Sequence, residues 1–194
     1  MTIRVLDGIR KFQEHLLELG LAQAVLALPA PRMLALPAPS SEGAGYVNVF
    51  SQLITEPEIE EVSRDLFVSG HYSLSVQEAY KSVDKYVERR AKPLGISGTQ
   101  LMELVFSPDS PILHWTGRQT QSEIDEQKGY QRLYSGAMLG IRNPLTHEFD
   151  WVDDPYIALE LVAFAQHLLR KAKQANLDQS ELASRIARSR KKSR

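Results

Sequence analysis

From Pro57 onward the apolar residues of this chain recur at intervals of three and four, segment after segment, and no stretch between turns sustains an alternation of two. A 3.6-residue period puts such positions on one face of a helix, so the main domain is expected to be all-α, a helical bundle. Glu56-Pro57 opens the first segment: proline suits a first helical turn, Glu58, Glu60 and Glu61 suit the positive end of the dipole, and Ile59, Val62, Leu66 and Phe67 form the stripe. Gly70 is expected to end it. Ser73 is read as the N-cap of a long helix with a stripe of Val76, Ala79, Tyr80, Val83 and Val87, halted by Pro93 and Gly95. A short helix over about Thr99 to Val105 precedes an expected loop from Phe106 to Gln121.

The next helix is expected to start near Ser122 and run through Leu133 and Met138 to the Arg142 region. It carries Gly129, Gly136 and Gly140. Each costs roughly 1 kcal/mol relative to alanine in a helix interior, and that tolerated cost points to close backbone approach. Asp154-Pro155 supplies the N-cap and first residue of the last core helix, apolar from Ala158 to Leu169, and a further helix is expected from Asp178 or Ser180 to about Arg188.

Upstream, Val5 to Leu28 fits an amphipathic helix through Phe12, Leu16, Leu19, Ala22 and Leu26. The hexapeptide Leu26-Ala27-Leu28-Pro29-Ala30-Pro31 then repeats as Leu34-Ala35-Leu36-Pro37-Ala38-Pro39, and its prolines favour extended chain. The expected organisation is therefore an N-terminal helix over 1–28, a Pro/Ala/Gly-rich linker over 29–48, a helical domain over 49–173 and a basic tail over 174–194. The tail holds Arg185, Arg188, Arg190, Lys191, Lys192 and Arg194, while the net charge of the whole chain is −1, so any nucleic-acid contact is local. With no cysteine there are no disulfides or thiolate metal sites, which suits a reducing cytoplasm. No apolar run reaches the roughly 20 residues of a membrane span, no secretory leader is expected, and no spaced cluster of histidines and carboxylates suggests a metal.

The chemistry-bearing stretch is Gly136 to His147, which ends in Arg142-Asn143-Pro144 and His147. Arginine is always protonated and histidine titrates near neutrality, so together they hold a phosphate and move a proton beside it. The Arg-x4-His spacing alone is weak, since a chain of this composition contains one by chance in roughly a third of cases. Arg10 and His15 show the same spacing in an uninterrupted helical pattern, where five residues turn about 140° and separate them. Between Arg142 and His147, by contrast, Pro144 disfavours helix at Asn143 and is expected to redirect His147 towards Arg142. The competing reading pairs Arg142 with Glu148 or Asp150 and leaves His147 to close a helix end. Trp115 and Trp151 are expected to be packing anchors rather than base-stacking platforms.

Several blocks together resemble a known family: Asp65-Leu66-Phe67 through Gly70-His71-Tyr72, Glu78 to Val83, Leu101-Met102 with Phe106, Glu126 to Gly129, Gly136-Ala137, Arg142-Asn143-Pro144 with His147, and Ala158-Leu159-Glu160. Over about residues 56 to 172 they resemble the Ymh-type family of bacterial and phage proteins, which is similar to the HEPN superfamily. That resemblance implies a HEPN-like bundle of four or five helices that forms homodimers. It also implies a metal-independent endoribonuclease, with no cofactor, acting as a toxin or in abortive infection. Arg142, Asn143 and His147 would be the catalytic residues. Apart from the resemblance, Lys81 is a candidate auxiliary phosphate contact, against the competing reading of an exposed helical lysine, and Arg188, Arg190, Lys191 and Lys192 of the tail, which the resemblance does not cover, are candidate substrate contacts. The implied partners are an RNA substrate, a second copy of the chain, and an antitoxin or other defence protein. Some HEPN toxins carry a tyrosine two residues beyond the histidine, a site of inactivating modification; this chain has Phe149, so that route is not expected. The alternative is a non-catalytic HEPN-like nucleic-acid-binding or adaptor module.

Overall fold

The computed structural model describes residues 41–91, 95–147 and 151–192; the side chains of 41–44, of His147 and of 189–192 are not among those described. The N-terminal helix expected over 1–28 and most of the linker lie outside the described residues. The described chain is all-α: α1 (Ser41–Leu53), α2 (Pro57–Val68), α3 (Tyr72–Ala91), α4 (Gly98–Val105), α5 (Gln121–Ala137), a π-turn (Met138–Arg142), α6 (Asn143–His147), α7 (Pro155–Gln174) and α8 (Gln179–Lys192). One departure from helix is a two-residue antiparallel bridge, β1 (Leu113–His114) with β2 (Asn176–Leu177), inside and beside the expected loop. None of the described helices is long and apolar enough to cross a membrane.

The central helix is α3, which packs against α2 on one side and α7 on another, with α4 and the π-turn beyond. Its Val76, Tyr80, Val83 and Val87 are fully buried, as their spacing requires. Gly70 ends α2, where His71 N–H reaches Leu66 O (2.8 Å) and Gly70 N–H reaches Phe67 O (3.0 Å), a Schellman pairing. Asp154 caps α7, its Oδ1 accepting from Tyr156 N–H (2.7 Å) and Ile157 N–H (3.3 Å).

Four expectations are corrected. Residues 41–48 are not linker but the start of α1, whose Phe50 is fully buried against Phe67 with ring centroids 4.7 Å apart; polyproline-like chain stops where the prolines stop. Ser73 is not a cap, because its hydroxyl is engaged with the backbone of Val152, accepting from the N–H at 2.7 Å and donating to the carbonyl at 3.1 Å. The α5 cap is Thr120, not Ser122: Thr120 Oγ1 accepts from Glu123 N–H (3.3 Å) while Glu123 Oε2 accepts from Thr120 N–H (3.2 Å), a reciprocal capping box. Trp115 does anchor the core, stacked on Phe106 and donating to Lys171 O at 2.7 Å, but Trp151 is 51% exposed.

The α1–α2 junction is closed from a distance. Glu56, the N-cap of α2, makes no side-chain cap bond. Instead the buried amide of Gln166 on α7 accepts from Thr55 N–H (2.6 Å) and Glu56 N–H (2.9 Å) and donates to Leu53 O (2.9 Å). One side chain thus satisfies both a helix end and a helix start.

Candidate functional site

The Arg142 segment is a helix locally widened. In the π-turn Met138–Arg142, Asn143 N–H reaches back five residues to Met138 O, and Asn143 itself is helical at φ −67°, ψ −47°. The chain therefore does not break at Asn143, contrary to the expectation from Pro144. A proline in an ordinary helix loses one hydrogen bond and crowds the carbonyl four residues back; the wider turn just before it relieves that crowding, so helix continues as α6 to His147. Thr146 Oγ1 donates to Arg142 O at 3.0 Å and ties the two turns together.

Two polar residues of α3, seven apart and hence on one face, hold this segment in place. Gln77, 8% exposed, donates from Nε2 to Leu145 O (3.0 Å) and Thr146 Oγ1 (3.3 Å). Asp84, 4% exposed, accepts from Gly98 N–H at 2.8 Å through Oδ1, and its Oδ2 lies 3.8 Å from Arg142 Nη2. Arg142 thus has an acidic partner on α3; Glu148 and Asp150, the partners of the competing reading, lie outside the described residues.

Arg142 lines an open cleft of about 490 Å³ together with Val62 of α2, with Glu78, Lys81, Ser82, Asp84 and Lys85 of α3, and with Ser97. Its cations are all paired within the chain. Lys81 Nζ donates to Glu78 Oε1 at 2.6 Å and Lys85 Nζ to Glu88 Oε2 at 2.8 Å. The bond to Glu88 holds the Lys85 ammonium above the ordinary lysine value. The cleft is therefore nearly neutral until an incoming anion competes for these cations.

Of the residues expected to act, the structure brings Arg142 and Lys81 to this one cleft. Asn143 is half-buried at the start of α6, and His147 is the last residue of α6, with its side chain outside the description. Arg188 is exposed on α8 and does not line the cleft. The side chains of Arg190, Lys191 and Lys192 lie outside the described residues. Gln77 and Asp84 were missed. The signal for them was present, because they fall on the stripe Gln77, Tyr80, Asp84, Val87, Ala91, and a polar residue at an apolar period needs a buried partner. Among the described residues no group of three or more His, Cys, Asp or Glu is arranged to hold a metal ion.

No curated protein and no solved structure matches this chain. A family described as "Protein of unknown function (Hypoth_ymh)" matches residues 54–172, from the α1–α2 junction to the last turn of α7, which takes in α3, the π-turn and α6. By that match, which spans more than half of the sequence and the whole of the cleft, the chain belongs to the Hypoth_Ymh family.

Proposed function

We propose that this chain is a metal-independent endoribonuclease of the HEPN type, working in the cytoplasm as a toxin or phage-defence effector. The observation that carries the reading is the π-turn. Such turns are uncommon and gather at functional sites, and this one delivers Arg142 into an open cleft immediately before Asn143 and His147. Arg142 binds the scissile phosphate and stabilises the charge of the phosphorane, with Lys81 as a second phosphate contact. His147 takes the proton of the ribose 2′-hydroxyl as its oxygen attacks phosphorus; the P–O5′ bond breaks, and the leaving oxygen takes a proton from an imidazolium. The products are a 2′,3′-cyclic phosphate and a 5′-hydroxyl. Asn143 orients His147 or binds a phosphate oxygen, and the C-terminal cations Arg188, Arg190, Lys191 and Lys192 hold the RNA nearby. An antitoxin or other defence protein would restrain the activity.

The same reading includes a homodimer built on α5. Gly129, Leu133 and Gly136 lie on one stripe of the helix, Gly140 extends it, and all four are exposed. Among the described residues a Cβ placed on any of the three glycines meets nothing within 4 Å, so the close approach expected of them is not made there. A second copy of α5 would make it, and would bring two cleft-bearing segments side by side.

A second reading has one observation in its favour. Each cation of the cleft already faces a carboxylate of its own chain, which suits a non-catalytic nucleic-acid-binding or adaptor module. Incubation of RNA with the purified protein in EDTA separates the two. The nuclease reading expects cleavage to 2′,3′-cyclic phosphate ends, reduced on the order of a hundredfold or more by Arg142→Ala and by His147→Ala with circular dichroism unchanged. RNA that is bound but never cut would favour the module, and equal cleavage by all three proteins would mark a contaminant.

A further inference from the structure

The most buried charged side chain of the cleft is one that the proposed chemistry does not use. Asp84 sits on the apolar stripe of α3 with its side chain 5% exposed, where a carboxylate is costly unless paired. Its two oxygens are divided between two tasks. Oδ1 accepts from Gly98 N–H at the start of α4, and Oδ2 faces the Arg142 guanidinium at 3.8 Å. Gly98, whose φ of +62° favours glycine, borders the same guanidinium: a Cβ there would lie in ordinary contact with Arg142 Nη1, at 3.8 Å. Arg142 Nε is buried without a hydrogen-bond partner among the described residues, so only the Nη groups are available to meet a ligand in the cleft.

From this geometry we infer that Asp84 is a positioning residue for Arg142. The inference rests on the reading of Arg142 as the phosphate-binding group. At 3.8 Å the contact is too long for a hydrogen bond, so the carboxylate holds the guanidinium by charge in a poorly solvated place and leaves its Nη hydrogens uncommitted. A bidentate pair would have consumed them. The structural alternative is that Asp84 only staples α3 to α4 through Gly98. Asparagine separates the two roles, because its amide oxygen still accepts from Gly98 N–H while the charge facing Arg142 is gone.

The experiment is ¹⁵N NMR of the Arg142 Nη groups in the full chain, beside single-turnover RNA cleavage. In the wild type, rotation about the Nε–Cζ bond is expected to be restricted, giving resolved Nη signals; fully averaged signals there overturn the proposal without any variant. In Asp84→Asn the Nη signals are expected to average, and cleavage to fall on the order of a hundredfold at saturating RNA, as for a misplaced group. In the Arg142→Ala background the same substitution is expected to cost nothing further. Should Asp84→Asn fail to fold, Asp84→Gln, which also carries a neutral amide oxygen as acceptor, takes its place. Nη signals that stay resolved in the neutral variant, or activity losses that add independently, overturn the inference. A wild type that restricts Arg142 through Asp84 but never cuts RNA defeats the nuclease reading instead.

Discussion

Gln77 shows how one side chain sets the position of the Arg142 segment. Its buried amide holds Leu145 O and Thr146 Oγ1, and Thr146 in turn holds Arg142 O, so α3 grips both turns of the motif through three hydrogen bonds. Gln77→Leu keeps most of the volume but leaves the Leu145 carbonyl without this donor. We expect a loss of about 1–3 kcal/mol in urea unfolding, the usual cost of orphaning a buried polar group, and a further loss in RNA cleavage at full folding. Unaltered stability would mean that α6 is held by something else. Arg142 was readable as a candidate anion-binding residue from residue type alone, because its charge is fixed. The partners of Arg142 and Leu145 were not, because they lie 58 and 68 positions away along the chain and only the packing of α3 against the π-turn brings them near.

At the scale of elements, helices were legible wherever the apolar period ran unbroken, as in α2, α3 and α7, since burial of one face dominates their stability. What escaped was decided by tertiary contact. The first part of α1 reads as Ser-Glu-Gly-Ala-Gly, poor helix-forming sequence, and its helix is fixed by Phe50 and Ile54 in the core. The π-turn escaped because Pro144 has two physical outcomes, a break or a widening, and the sequence contains no term that chooses between them. The glycine stripe of α5 makes a prediction at this scale. With nothing among the described residues within 4 Å of a Cβ at position 136, Gly136→Ala is expected to stabilise the dilute, monomeric chain by about 1 kcal/mol through helix propensity. The same methyl group is expected to weaken self-association, read by sedimentation over a range of concentrations. A variant that is more stable and associates as before would remove α5 as the dimer face.

Over the whole molecule, the start of α2 is bound to the end of α7 twice, by Gln166 in the interior and by an ionic network at the surface. Lys173 Nζ donates to Glu56 Oε2 and Glu58 Oε2, both at 2.7 Å, and Arg170 Nε donates to Glu56 Oε1 at 2.8 Å. Hydrogen bonds from Lys173 and then Arg170 hold the Glu56 carboxyl below the ordinary glutamate value of 4.5, and Lys173 followed by the Glu58 backbone does the same for Glu58. Burial acts to lower the Lys173 ammonium, but its bonds to the two glutamates outweigh that and raise it above 10.5. The signs fix the pH window. A lowered carboxyl contributes stability above its unfolded value of 4.5 and loses it as pH falls through the lower folded-state value. A raised ammonium contributes fully below 10.5 and loses it as pH rises through the higher folded-state value. Between those limits the network is intact, and because its members are partly exposed its net worth is about 1 kcal/mol. Lys173→Met is therefore expected to lower urea stability near neutrality by about that amount, and to make the fall in stability below pH 4.5 shallower than in the wild type. Equal slopes in the two proteins would show that Glu56 and Glu58 are not held by Lys173, and that Gln166 and the Arg170–Glu56 pair join α2 to α7 without it.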